Sequence, residues 1–127
     1  MESVFKNISL ISMAPFGSRV VGCAKKDSDY DYLVLVKSKP TIHDMRGTGF
    51  DPDSGDPLYG KYFSSWRKGD VNLVFTNSKQ YYDVTIEACL FCTKYKVYDK
   101  AERCMIHERF KGSIIEGTFY LFPKGNL

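Results

Sequence analysis

Residues 16–36 read FGSRVVGCAKKDSDYDYLVLV, and the fold turns on this stretch. Gly17 and Ser18 break off an apolar run, and the segment 18–24 that follows has room for at most two turns of helix before the chain opens again. Residues 30–37 are aromatic and β-branched, and nearly continuously apolar from Tyr32 to Val36. That is the pattern of a strand covered on both faces, and it places this segment at the centre of a sheet. Side chains alternate along an extended chain, so Asp29 and Asp31 point the same way, with Cα atoms about 7 Å apart. Two unpaired carboxylates that close repel, and one is driven towards protonation. The arrangement makes most sense around divalent cations with oxygen ligands, Mg2+ foremost.

Working outward, Ile8, Leu10, Ile11 and Met13 lie in an apolar segment bounded by Pro15 and Gly17, and residues 8–14 read as a first strand running into a tight turn. Gly17-Ser18 then falls where a strand ends and a helix begins. Free backbone N–H groups and the helix dipole favour a phosphate there. Gly17 lets backbone approach without a Cβ, the Ser18 hydroxyl adds a donor, and Arg19 supplies charge or packs the turn. On the far side, residues 70–76 (DVNLVFT) restore the period of two, with Asp70, Asn72 and Val74 on one face and Val71, Leu73 and Phe75 on the other. Asp70, at the start of that strand, is expected to join Asp29 and Asp31, so that three acids surround two metal ions. Asp83 and Glu87 compete for that third role, and Asn72 is the next accessory contact.

The intervening residues 39–69 carry Pro40, Pro52, Pro57, Gly47, Gly49, Gly55 and Gly60, with aspartates at 44, 51, 53 and 56. They read as a long loop without extended regular structure, held by few apolar contacts and suited to act as an acceptor-side lid. Asn77 or Ser78 caps a helix reaching about residue 94. A second helix spans 99–110 and stops at Gly112, and residues 118–122 suit a short edge strand. The resulting expectation is a small α/β domain: a short mixed β-sheet with helices packed mainly on one face.

The run GSRVVGCAKKDSDYDYLVLV resembles the signature of the polymerase-β-like nucleotidyltransferase superfamily, in which a Gly-Ser turn and a short helix precede Asp-x-Asp opening a strand. The segment 63–74, FSSWRKGDVNLV, is further similar to small nucleotidyltransferases encoded by tailed bacteriophages, where a tryptophan precedes the strand carrying the third acid. The resemblance covers roughly residues 8–101. It implies a single minimal nucleotidyltransferase domain that moves a nucleoside monophosphate from an NTP to an acceptor hydroxyl, with release of pyrophosphate. Carried over by position, Asp29 and Asp31 would hold two Mg2+ or Mn2+ ions, Asp70 would complete the ion site that activates the acceptor, and Gly17, Ser18 and Arg19 would bind the nucleotide. Trp66, Arg67, Lys68 and Asn72 would contact the base or the acceptor, which could be an RNA end, a protein hydroxyl or a small molecule. A rival expectation is a catalytically silent module on the same fold that engages a host or partner protein.

Composition narrows the rest. The 127 residues suit one domain, and 43% hydrophobic with 26% charged residues is ordinary for a globular protein. A net charge of +3 is too near balance to argue for nucleic-acid binding from bulk electrostatics. No apolar run approaches the ~20 residues of a membrane helix, and residues 1–7 lack a signal-peptide pattern, so a cytoplasmic location is expected, that of the host if the chain is phage-encoded. In that compartment Cys23, Cys89, Cys92 and Cys104 are expected as free thiols. Cys89-x-x-Cys92 with Cys104-x-x-His107 has the ligand types of a zinc site, but both halves fall in helical patterns without a glycine knuckle, which favours buried thiols. His43 reads as a loop histidine, and 51–56 as a hydrated acidic turn.

Overall fold

The computed structural model describes residues 4–53 and 62–115. A 3-10 turn (Val4–Asn7) leads into β1 (Leu10–Phe16), α1 (Ser18–Val21), β2 (Tyr30–Val36), α2 (Ile42–Met45), β3 (Asp51–Pro52), β4 (Ser64–Lys68), β5 (Val71–Thr76), α3 (Lys79–Lys94) and α4 (Lys100–Ile115). The strands form one mixed sheet in the order β1-β2-β5-β4-β3, with only the β2–β5 pair parallel. The mixed α/β architecture is the one expected, but its middle strand is β5. β2 lies one place in from the β1 edge.

Of the three interior strands, β2 and β5 are largely apolar on both faces because both faces are covered. Leu33, Leu35 and Val74 meet Tyr81 and Tyr82 of α3 together with Phe63. On the opposite face Val34, Val36, Leu73 and Phe75 pack with Val4, Met45, Phe50 and Trp66. Helices α1, α3 and α4 stand on the first face, and the second is closed by α2 and the N-terminal turn. Val84 and Ala88 of α3 join Phe110 of α4 in a seam that fixes the helical pair. Ser78 caps α3 by accepting a hydrogen bond from the Tyr81 N–H at 3.3 Å.

The segment 39–69 departs most from expectation. It contains α2, β3 and the five-residue strand β4, and Met45, Phe50 and Trp66 are between 2% and 7% exposed. The described part of this segment is therefore core structure and has the apolar anchors that a lid would lack. His43 lies on α2. Helix α4 runs through Gly112 to Ile115 instead of stopping there, since a helical glycine costs only about 1 kcal/mol. The edge strand expected at 118–122 lies outside the described residues. Among the described residues no helix is long and apolar enough to cross a membrane.

Candidate active site

Three strand ends and two helices enclose a cleft of about 470 Å³. Its floor is polar: Asp29 and Asp31 at the start of β2, Asn72 on β5, Arg67 on β4 and Asp53 just after β3. Its walls are Phe16, Gly17 and Val21 on one side and residues of α3 and α4 on the other, among them Ala88, Cys89, Cys92, Arg103 and His107. The expected carboxylate pair thus faces the cleft, and β alternation explains it. Asp31 shares the α3-facing side of β2 with Leu33 and Leu35, and its partner in register on β5 is Asn72.

Gly17 meets Asp31 at the head of the cleft. Its φ is +81°, a left-handed value that favours glycine, and a Cβ there would overlap the Asp31 carboxylate. The turn after β1 is thus shaped by the acid it faces. Gly22, with φ +98°, closes α1 by donating its N–H to the Ser18 carbonyl at 2.9 Å.

Each acid of the floor has a partner. Asn72 Nδ2 donates to Asp31 Oδ1 at 3.2 Å, and the Ser65 hydroxyl donates to Asn72 Oδ1 at 2.8 Å, so the amide is oriented from behind by a buried serine. Arg67 forks between two carboxylates, with Nη1 to Asp29 Oδ1 and Nε to Asp53 Oδ2, both at 2.9 Å. Burial works against the guanidinium charge, and the hydrogen bonds to Asp53 and Asp29 outweigh it, holding its pKa above the ordinary arginine value. Asp53, expected in a hydrated acidic turn, instead belongs to the cleft.

The other expected site residues separate. Asp70 lies in the β4–β5 turn, exposed and outside the residues lining the cleft, and its backbone carbonyl accepts the Tyr30 N–H at 2.7 Å. The position opposite Asp31 belongs to Asn72. Trp66 and Lys68 point to the other face of the sheet from Arg67: Trp66 is core, and Lys68 Nζ sits 3.3 Å from the Thr48 carbonyl and 6.0 Å from the Phe50 ring centroid. Arg19 packs the turn. Its guanidinium stacks 3.9 Å from the Tyr30 ring centroid and donates to the Ser28 carbonyl at 2.6 Å. Ser18 opens α1 and is not among the cleft-lining residues. Asp83 pairs with Lys79 at 2.7 Å on the surface of α3, and Glu87 is also outside the lining.

The helical wall is electrically quiet where it carries cysteine and histidine. Burial raises the Cys92 thiol to about 11, and it also raises Cys89, outweighing a hydrogen bond to the Gly17 backbone. His107 is pushed down to about 4, first by burial and then by Lys111, and its Nε2 is 2.7 Å from the Thr85 hydroxyl. All four cysteines are free, and among the described residues no three His, Cys, Asp or Glu side chains assemble as a metal site. The zinc-like spacing is thus not gathered into one centre.

The same test bears on the expected pair of ions. Mg2+ binds through one or two carboxylates and completes its shell with water and substrate phosphates, and Asp29 with Asp31 provide that pair. Two cleft-lining carboxylates are a number that Mg2+ can use, whereas the three-carboxylate set expected for two ions is not assembled among the described residues. No family model matches the chain, and neither curated proteins nor solved structures yield a match.

Proposed function

We propose that the chain binds a nucleoside triphosphate together with one divalent cation, Mg2+ or Mn2+, and transfers the nucleotidyl group to an acceptor hydroxyl. The observation that carries this reading is that Asp29 and Asp31 both line one cleft, with Asp31 against the Gly17 backbone at its head and room in it for a nucleotide. In the reaction the acceptor oxygen forms a bond to the α-phosphorus, the bond from that phosphorus to the pyrophosphate oxygen breaks, and the acceptor's proton passes to solvent. A bound cation supplies charge neutralisation on the phosphates. Asp29 and Asp31 would hold it, with Asn72 fixing the orientation of Asp31. Gly17, without a Cβ, lets the Asp31 carboxylate sit against the turn at the head of the cleft. The apolar wall of Val21, Ala88 and Phe16 excludes water from one side of the substrate.

A second reading, a silent module that engages a partner protein, draws support from Arg67. A guanidinium already paired to Asp29 compensates that acid without any metal. Calorimetry with ATP in the presence and absence of Mg2+ separates the two, since only the first reading requires cation-dependent binding. Incubation with each α-labelled NTP, Mg2+ or Mn2+ and a cell lysate then asks which macromolecule is labelled. No cation-dependent binding and no labelling would overturn the proposal.

A further inference from the structure

Helix α4 turns one stripe towards the cleft: Lys100, Arg103, Cys104, His107 and Glu108, the i, i+3, i+4, i+7, i+8 spacing of a single helical face. The acids and bases of the cleft are mostly accounted for. Asp29 and Asp53 share Arg67, Asp31 has Asn72, and Glu108 pairs with Lys111 at 2.7 Å. Lys100 and Arg103 are different. Neither forms an ion pair among the described residues, and the Arg103 Nε is shielded from solvent without a hydrogen-bond partner. That nitrogen is turned inward, so an oxyanion in the cleft would meet the accessible, cleft-lining part of the guanidinium, where a charge-assisted bond can form.

Their place on the helix sharpens the point. Both cations stand in the first turn of α4, whose dipole presents positive charge; Glu102 and the capping Asp99 belong to the same turn but are not among the residues lining the cleft. The neighbouring thiols do not offset them, because burial keeps Cys89 and Cys92 protonated. On the cleft side of that turn the two cations stand without an ion-pair partner among the described residues, a surface that suits an anion.

We propose that Lys100 and Arg103 form a seat for a polyphosphate chain, whose oxyanions lie on the α4 wall opposite the Asp29–Asp31 floor. That the chain belongs to a nucleotide, or to the pyrophosphate released from one, rests on the function proposed above; the seat itself rests on the unmatched cations alone. In this arrangement the cleft grips phosphate from two sides: through a cation held by the carboxylates, and directly through a guanidinium fork and an ammonium.

The test uses the full chain, with sodium tripolyphosphate as probe and no divalent cation present. Wild type should bind it by calorimetry at low ionic strength. Arg103→Gln should weaken binding at least about tenfold, the loss of one charge-assisted contact, with Arg103→Lys in between. Lys100 is exposed and outside the core, so Lys100→Gln gives a variant whose folding is not in question, and it should weaken binding in the same direction. Absence of tripolyphosphate binding by wild type, or equal affinity in wild type, Arg103→Gln and Lys100→Gln, would overturn the seat. Tripolyphosphate binding lost on Arg103→Gln supports it, even if ATP with Mg2+ shows no cation-dependent binding, in which case the nucleotidyl-transfer reading fails and the seat stands as a site for free polyphosphate.

Discussion

The two faces of the same three strands, β2, β4 and β5, differ in one respect that separates folding from function. Towards α2 and the N-terminal turn, Val34, Val36, Trp66, Leu73 and Phe75 form an apolar layer buried to 5% exposure or less, with Ser64 and Lys68 at the two ends of β4. Towards α3 the face is equally apolar at one end, with Leu33, Leu35 and Val74, and then changes abruptly to Asp31, Asn72 and Arg67 at the other. Burying polar groups at a sheet end costs free energy that a second apolar layer would have avoided. The polar end of one face is therefore carried by stability that the other face supplies.

The sharpest break of this comparison is on the polar end. Asp31→Asn and Asp29→Asn each remove a charge and little volume, so cation-dependent NTP binding and transfer should fall by two orders of magnitude or more, while thermal unfolding stays close to wild type. Calorimetry and the labelling assay on the same preparations check it. Turnover within a few-fold of wild type in either variant would remove the carboxylate pair from the mechanism.

The apolar face should respond in the opposite sense. Trp66→Ala empties a large buried site next to Phe50 and Met45, and truncations of this kind cost about 3–5 kcal/mol. Urea unfolding should record that loss, with NTP affinity near wild type under conditions where the variant is folded. A variant of normal stability with weakened NTP binding would instead return Trp66 to the site, as its neighbourhood in the sequence suggests.

This reversal shows why some of the molecule was legible in the sequence and some was not. β2, β5 and α3 follow from long apolar runs, a two-residue period and a clear cap, and each forms within a residue or two of its expected bounds, while α1 is the single turn Ser18–Val21 inside the segment 18–24. β4 does not announce itself, because its two faces each mix polar and apolar side chains: Phe63, Ser65 and Arg67 alternate with Ser64, Trp66 and Lys68. No hydrophobic period survives that mixture. Once β4 is a strand, alternation sends Arg67 into the cleft and Trp66 and Lys68 away from it. The pairing of Arg67 with Asp29 and Asp53 joins residues far apart in the chain, and only the strand order brings them together. Asp70 looked like the third acid because it begins a strand, but the parallel register puts Asn72 opposite Asp31.

His107 tests the helical wall, where burial rather than charge dominates. Its pKa is depressed from 6.5 to about 4, so between those values the unfolded chain binds a proton that the folded chain does not. Stability from this residue is fully present above pH 6.5 and is lost as pH falls towards 4, by up to about 3 kcal/mol at the acid end. Urea unfolding at pH 7, 6 and 5 should show a decline that is shallower in His107→Gln. The contribution of surface carboxylates is common to both proteins, so the difference between the two curves isolates the imidazole. Parallel curves would mean that the ring is solvated enough to take its proton without cost.

The smallest expected effect separates a two-acid floor from a three-acid one. Asn72→Asp keeps the shape of the side chain and the acceptor for the Ser65 hydroxyl, but replaces the Nδ2 donor that faces Asp31 Oδ1 with a second carboxylate oxygen. Two acids then oppose each other across the parallel pair, so without divalent cations the variant should lose about 1–2 kcal/mol of stability, the scale of a lost hydrogen bond between a buried and a half-buried group. The same repulsion is relieved by a cation held between them, which should raise Mn2+ affinity and move the unfolding midpoint upward as Mn2+ is added. Wild type, with an amide at that place, should respond less. If Asn72→Asp gains no cation-dependent stabilisation over wild type, the Asp31 end of the floor is not where the ion binds. Its Asn72 hydrogen bond would then be a structural clamp on the β2–β5 pair.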